Sequence, residues 1–435
     1  MSSTADACPP RRVVVTGWGM VTCLGSGPAN VFDAASAGRS GIRAISRFDA
    51  TNIPASIAGE VDDSLLPTDP TLSPQTEKLG YRADRLMRAA CDQAAEQARL
   101  ADLPDRDRVG CMIGSHGADP TPEEMAGVLA CAGEDAVMRL PQLLAKQDFD
   151  CGQFYRRKPD MTTSLIASRY LCLGPTLSIV SACAAGAQAI GEAFRAIRRG
   201  QASAILCGGV EAKITYAGYI GFVLLKALCE RYKTPETASR PFDRRRNGFV
   251  MSEGAAALVV EDLQHARKRN APILGEILGY GDSADAYRIT DVHPEGEGAI
   301  IAMKAALADA RLNPDQVQYI NAHGTSTKQN DAVESLAILK LFGGHAQRLP
   351  VSSNKSMLGH AIAAAGAIEA ILTLEGIRRS ILLPTINYES PDPKCPLPDY
   401  VPNKAREHKH SIALSNSFGF GGQNACLCLA AYRDE

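Results

Sequence analysis

No stretch of about 18 apolar residues runs unbroken by charge or turn residues anywhere in this 435-residue chain, so no membrane span is expected. Neither sign of charge is in excess. Lys and Arg number 46 and Asp and Glu 48, and the formal net charge of −2 gives no general pull toward nucleic acid or an anionic surface. The thirteen cysteines lack the spacing of a zinc site or a disulfide framework, and no Asp or Glu motif reads as a metal site. Cysteine used this way fits a reducing cytosol better than secretion. Met1 to Pro10 is polar and holds no apolar signal-peptide core, so a cytoplasmic protein without a metal is expected. The glycines from Gly17 to Gly25 lack nucleotide-binding spacing.

What is present is ordinary for a globular chain: 45% hydrophobic and 22% charged residues, enough length for one large domain or two fused ones. Against that background Cys183 stands out. The run Thr176-Leu-Ser-Ile-Val-Ser-Ala-Cys183 reads as a buried strand, through Leu177, Ile179 and Val180. Ala184, Ala185, Gly186, Ala187 and Ala189 then open a helix that runs to about Arg199. A thiol at such a turn meets unpaired N–H groups and the positive end of a helix dipole, which favour thiolate. Its small neighbours let a carbonyl approach, and the Cys183 N–H is a candidate oxyanion donor. The other cysteines read as inert core.

Strands alternate with helices along the chain. Strands are expected at Arg12–Gly19, Val109–Ile113, Leu177 onward, Ala204–Glu211, Ile273–Tyr280 and Val317–His323, and a glycine hairpin between strands at Ser411–Tyr432. Helices are expected at Tyr81–Leu103, after Cys183, at Gly298–Leu312, at Asp331–Phe342 and within Lys355–Arg379. The pattern implies an α/β fold with largely parallel sheets covered by helices. It recurs, which suggests two related halves, 1–260 and 261–435. Asp119 to Pro159 has few strand signals and reads as a helical insertion, over about 119–160, that caps the site or forms a subunit interface.

Two further segments carry histidines in reactive settings. In Asn321-Ala-His323-Gly-Thr325-Ser-Thr327-Lys-Gln-Asn-Asp331-Ala-Val-Glu334, His323 ends a strand beside hydroxyl donors, which suits proton handling or oxyanion binding. In Ser353-Asn-Lys355-Ser-Met-Leu-Gly359-His360, the histidine opens a helix of very small residues, whose dipole would keep the imidazole neutral. Lys355 and Glu369 would form a buried ion pair if both face the site. A fourth segment, Asn416-Ser-Phe418-Gly-Phe420-Gly-Gly-Gln-Asn424, combines close backbone approach with a movable Phe gate. Each feature alone has a plainer reading: a histidine after a strand is usually core, a Gly-Phe-Gly-Gly run usually a turn, a lysine between Asn and Ser usually surface. One cysteine and two histidines, each at a strand end or helix start, shift the balance.

Together these segments resemble the β-ketoacyl-acyl-carrier-protein synthases, specifically the elongating Cys-His-His type II branch of the thiolase superfamily. The resemblance covers nearly the whole chain, including Arg11-Arg-Val-Val-Val-Thr-Gly-Trp-Gly-Met-Val-Thr, Phe48-Asp, Ile57-Ala-Gly-Glu60-Val and Ser239-Arg-Pro-Phe-Asp243 with Asn247-Gly-Phe-Val and Glu253-Gly. The separations, 140 residues from Cys183 to His323 and 37 from His323 to His360, also look like this family's. The resemblance implies a thiolase-like fold of duplicated βαβαβαββ halves in a five-layered αβαβα arrangement. It implies an acyltransferase in which Cys183 takes an acyl chain from an acyl carrier protein. His323 and His360 would then stabilise the enolate formed as a malonyl thioester loses CO₂, giving a 3-oxoacyl product two carbons longer in fatty-acid or polyketide-type elongation. Lys355 with Glu369 would position and tune the histidines, with Asp331 and Glu334 in support. Cys183 and Phe420 would give the oxyanion N–H groups, Gly419, Phe420, Gly421 and Gly422 the gate. Thr325 and Thr327 would hold the phosphopantetheine arm, which the carrier protein brings, so that no resident cofactor is implied. Phe222 and Phe418 would contact substrate. The family's carrier protein is acidic, which makes Arg82, Arg85, Arg88 and Lys226 candidates for a basic patch at the entrance. A dimer, homomeric or heteromeric, is implied.

Some positions depart from the family pattern: Ala184-Ala185-Gly186 after the cysteine, Lys328 where proline is common, Asn247 in place of an acidic residue, and Gln423 where threonine is usual. They bear on acyl specificity more than on reaction type. Two rivals remain. A non-catalytic chain-length-factor-like partner would typically lack the nucleophile that Cys183 supplies. A thiolase would need a second catalytic cysteine near the Asn416–Gln423 loop, which has none.

Overall fold

Val13–Thr22 is buried along its whole length and forms strand β1, which pairs on both sides and so lies deep in the molecule. The structure, a computed structural model, describes residues 11–66, 81–132 and 157–434 together with Pro141 and Tyr155. After β1 come β2 (Val109–Gly114), β3 (Thr176–Ile179), β4 (Ala204–Glu211) and β5 (Gly254–Asp262), in the spatial order β3-β2-β4-β5-β1. Strands β6 (Gly275–Ala284), β7 (Tyr319–Asn321), β8 (Val351–Ser352), β9 (Ile412–Phe418) and β10 (Gln423–Ala430) repeat it as β8-β7-β9-β10-β6. Both sets thus run third, second, fourth, fifth, first. Val13–Val15 of β1 pairs with Gly275–Ile277 of β6 and joins the sets into one continuous sheet.

The expected largely parallel sheet is a mixed one. Only β2 with β3 and β4, and β7 with β8 and β9, are parallel; β1–β5, β1–β6, β4–β5, β6–β10 and β9–β10 are antiparallel. Each set begins with crossover-linked strands and closes on an antiparallel return, for which a turn as short as the one between Phe418 and Gln423 suffices.

Helices α1 (Arg82–Gln97) and α2 (Pro159–Arg169) cover the outside of the first set of strands. Helix α3 (Ala185–Arg198) follows Cys183, α4 (Tyr216–Leu224) follows β4, and α5 (Glu297–Ala310) and α6 (Lys328–Phe342) cover the second set. Helix α7 (Ala365–Arg379) packs against α3, and both touch strands of each set. The result is five layers, with α3 and α7 in the middle. The faces on which these two helices meet are fully buried, and the sequence provides for that with alanine and glycine: a Cβ on Gly186 would lie 2.6 Å from the Ala363 carbonyl oxygen, and one on Gly366 would lie 2.8 Å from the Ala187 Cβ.

Two expectations need correction here. Leu177 and Val180 are not buried: they are 45% and 54% exposed, because β3 is an edge strand with a single neighbour. The segment 119–160 contains a helix at Pro122–Leu129 and the start of α2, while residues 133–140, 142–154 and 156 of the expected insertion lie outside the described residues. Among the described residues no helix is long and apolar enough to cross a membrane.

Candidate active site

Strand β3 ends at Ile179, and a tight turn leads through Ala182–Ala184 into α3. Ala182 takes φ 45°, a left-handed conformation costly for any residue with a Cβ, which lifts Cys183 onto the tip of the elbow. The second half builds the same device. Ile362 takes φ 40° in the turn Ile362–Ala364 that leads into α7, and His360 precedes it. The two elbows face each other across the central layer. They bring His360 Nε2 to 3.0 Å from Cys183 Sγ.

The Ile362 N–H reaches His360 Nδ1 at 3.3 Å. Nδ1 is therefore the acceptor, and the neutral ring carries its proton on Nε2, facing the sulfur. His323 enters from the end of β7, with its ring edge-on to His360 at a centroid distance of 5.2 Å. Its backbone N–H and that of Gly324 both donate to Glu334 at 2.8 Å, so a buried carboxylate fixes this turn. The thiol and one nitrogen of each ring lie within 4.8 Å of one another, close enough to act on one carbonyl group or to chelate a thiophilic cation.

Burial dominates the electrostatics. Both imidazoles are held well below the usual histidine range, first by desolvation and then by the Lys355 cation. The expected neutral His360 is found, with burial rather than a helix dipole as its main cause. The expected thiolate is not found. Desolvation pushes the Cys183 thiol up to about 12, against the opposing pull of the Phe420 N–H and Lys355. Lys355 and Glu369 form an ion pair in which each side chain is 2% exposed. Burial raises Glu369 to about 7, as it does Glu334. Asp331, also raised by burial, accepts from the Phe242 and Ser326 backbones and stands beside Arg246, so it ties two loops together behind the site rather than entering it.

The β9–β10 turn closes the front. The Phe420 N–H points at Cys183 Sγ, Gly421 and Gly422 take φ 82° and 73°, and the Gly421 N–H bonds the Ile289 carbonyl at 2.7 Å. Cys183, His323, His360, Thr325, Thr327, Phe418, Gly419 and Phe420 line one narrow cavity of about 40 Å³, with Phe249, Val292 and Asn330. That volume is small, room for little more than a water molecule, and Phe420 forms part of its wall. Thr325 and Thr327 share a hydrogen bond of 2.9 Å at the entrance. Phe222 stands outside this cavity, packed edge-on against Phe249, which in turn packs edge-on against His360.

Among the basic candidates, Lys226 is exposed and lines the outer mouth together with Lys328 and Phe420. Arg85 is half-buried on α1. Arg82 and Arg88 are not available to a partner there. Arg82 is engaged by the buried Glu253 at 2.6 and 2.7 Å, and Arg88 is itself buried, because this face of α1 turns inward. Sequence reasoning passed over Phe249, Val292 and Asn330. Phe249 lay within a quoted motif, while nothing around Val292 signals a site.

Residues 10–266 match the family profile "Beta-ketoacyl synthase, N-terminal domain", and residues 274–389 match "Beta-ketoacyl synthase, C-terminal domain". The chain is 42% identical to a 3-oxoacyl-[acyl-carrier-protein] synthase 2 of Coxiella burnetii, over 98% of this chain and 99% of that one. It is 41% identical to the protein of the same name in Synechocystis, over 97% and 99%. Among solved structures, a β-ketoacyl synthase from Burkholderia phymatum superimposes with a TM-score of 0.87 at 32% identity, over 97% of this chain and all of that one. The complex AntDE:AntF, described as a type II PKS acyl-carrier protein with its ketosynthase bound to the hexaketide, gives a TM-score of 0.83 at 32% identity, over 98% and 100%.

Proposed function

The chain belongs to the β-ketoacyl synthase family, and we propose that Cys183, His323 and His360 carry out a decarboxylative Claisen condensation in two stages. In the first, Cys183 sulfur bonds to the carbonyl carbon of an acyl thioester. The carrier's sulfur leaves and takes up the proton that the cysteine gives up, so a thiol and a thioester exchange partners. The Phe420 N–H, already aimed at the sulfur, and the Cys183 N–H serve the oxyanion.

In the second stage a malonyl thioester occupies the space beside the rings. Its carboxylate leaves as CO₂, and the electron pair moves onto the thioester oxygen as an enolate. Neutral imidazoles suit this step, because each offers one N–H to the enolate oxygen and is too weak an acid to protonate the carbanion, and Nε2 of His360 is already the protonated nitrogen. The carbanion then bonds to the Cys183 acyl carbon, the carbon–sulfur bond breaks, a 3-oxoacyl thioester leaves, and the Cys183 thiolate takes a proton from water to restore the thiol. Burial, aided by the positive charge of Lys355, keeps both rings unprotonated. The observation that carries this reading is the 3.0 Å contact between His360 Nε2 and Cys183 Sγ, made by residues 177 apart in sequence.

The partner we assign is an acyl carrier protein, its phosphopantetheine arm passing Thr325 and Thr327 and its acidic surface meeting Lys226 and Lys328 at the mouth. We assign a cytoplasmic dimer, formed through β3. That edge strand offers unpaired backbone groups and exposed Leu177, and the residues flanking it expose Leu171, Leu173 and Val180, which a second copy would cover. The test is a panel of acyl-carrier donors with malonyl carrier, scored for 3-oxoacyl product, alongside sedimentation for the dimer. A His323→Ala or His360→Ala variant that still decarboxylates malonyl carrier at the parent rate would overturn the assignment of the rings.

A further inference from the structure

One buried acid near the thiol takes no part in the steps above. Glu211 ends β4, its side chain is 1% exposed, and its carboxylate meets His116 Nδ1 at 2.6 Å. His116 stands two residues past the end of β2 and is 18% exposed. The same Glu211 oxygen that meets His116 also accepts the Ala363 N–H at 3.4 Å. Ala363 sits in the second elbow, next to the Ile362 N–H that holds His360 Nδ1. The fit at this point is tight: a Cβ on Gly209 would lie 2.5 Å from the Ala363 carbonyl oxygen. The two segments that supply the pair are pinned again further along, where Asp119 accepts from Lys213 at 2.6 Å and from Thr215 at 3.1 Å.

We propose that Glu211, braced by His116, is a positioning residue that holds the Ile362–Ala364 turn and through it the tautomer and aim of His360. The physical argument is one of accounting for backbone donors. The left-handed Ile362 leaves the N–H groups of residues 362 and 363 pointing out of the elbow, where each needs an acceptor. The first finds His360 itself and the second finds Glu211. Without the carboxylate the Ala363 N–H is orphaned in a buried site, and the turn gains a reason to rotate. Rotation withdraws the Ile362 N–H from Nδ1, which frees the ring to carry its proton there instead and leaves Nε2 with no hydrogen to offer an enolate. His116 keeps the acid in place, since a lone buried carboxylate would otherwise turn toward solvent.

This inference rests on the role proposed for His360, and its test keeps the two apart. Malonyl decarboxylation is measured for Glu211→Ala, Glu211→Gln, His116→Ala and, in parallel, His360→Ala, with a thermal melt for each. Glu211→Ala is expected to lower kcat at least about tenfold with KM within about twofold, because the donor is misaimed while binding is kept. Glu211→Gln, which retains an acceptor oxygen, restores kcat to within about threefold of the parent. Nitrogen-15 spectra of imidazole-labelled protein should show His360 protonated at Nε2 in the parent and a mixture of tautomers in Glu211→Ala. Parent-like kcat in Glu211→Ala, or a glutamine no better than alanine in folded protein, overturns the proposal. If Glu211→Ala does not fold, half-buried His116 carries the test: unchanged kcat in His116→Ala would contradict it. Loss of activity in His360→Ala alone would defeat this inference and leave the reaction assignment standing, whereas no loss in His360→Ala would defeat the assignment itself.

Discussion

The two elbows of this molecule have the same shape and different tasks. Each follows a parallel strand, each has a left-handed residue (Ala182 or Ile362), and each opens one of the two central helices. The first presents a thiol at its tip. The second has Ala363 in that place, and its working groups, Lys355 and His360, come just before the turn. Duplicating a strand–turn–helix unit therefore yields two positively polarised helix ends aimed at one space; in the proposed reaction the first would hold the covalent intermediate and the second would manage charge. What separates them is which side chain is presented and which ionic pair stands behind it.

The sharpest way to break the comparison is to empty the first tip. Cys183→Ala should lower condensation by at least about 10⁴-fold, since no other group in the cavity can form the thioester. Its malonyl decarboxylation should survive, because that step belongs to the second elbow. Removing the second elbow's donor reverses the pattern. His360→Ala is expected to cut decarboxylation by about 10²- to 10³-fold while acylation of Cys183 continues, followed as a mass shift on the intact protein. If both variants lost both activities equally, the division of labour would be wrong.

The ionic pair behind the second elbow gives a smaller effect on stability. Lys355→Met leaves Glu369 buried without a partner and should cost about 3–5 kcal/mol, read from denaturant unfolding, whereas Lys355→Met with Glu369→Leu should cost less. A pH series sharpens the contrast further. The histidine pKa values are depressed, so both rings stay neutral as pH falls through the ordinary range, and decarboxylation should be flat from pH 8 to about 6. In the unfolded chain the same rings protonate near 6.5 and bind more protons than the folded state. Their contribution to stability is therefore complete above that pH and declines below it. The thiol behaves oppositely: with Cys183 pushed up to about 12, its alkylation by iodoacetamide should still be accelerating at pH 10, beyond the plateau of an ordinary cysteine.

Much of this was legible in the sequence because small residues constrain what a segment can become. The Ala-Gly composition after Cys183 and His360 announced helices that nothing larger could replace, and these two helices are the central layer. The Lys355–Glu369 pair was legible only as a condition, that both residues face the site, since Asn354 and Ser356 beside the lysine read equally as surface. What the sequence did not yield was direction and exposure. Leu177 and Val180 look like core because apolarity does not distinguish a strand buried by its own chain from one left at an edge. Arg82 and Arg88 look like a solvated face because the carboxylate that claims Arg82, Glu253, is 171 residues away. Thiolate was expected from helix-end geometry, but desolvation of a fully enclosed sulfur outweighs a partial dipole charge. Glu211 gave no local signal at all, since its significance depends on Ala363, which only the duplicated topology brings near.

The most direct test is to incubate the protein with an acyl-carrier thioester, digest it, locate the acyl group by mass spectrometry, and then add malonyl carrier. The account predicts a single acyl adduct on the peptide containing Cys183 that disappears as a 3-oxoacyl thioester two carbons longer is released. An adduct on another residue, or one on Cys183 that malonyl carrier fails to discharge, would contradict it.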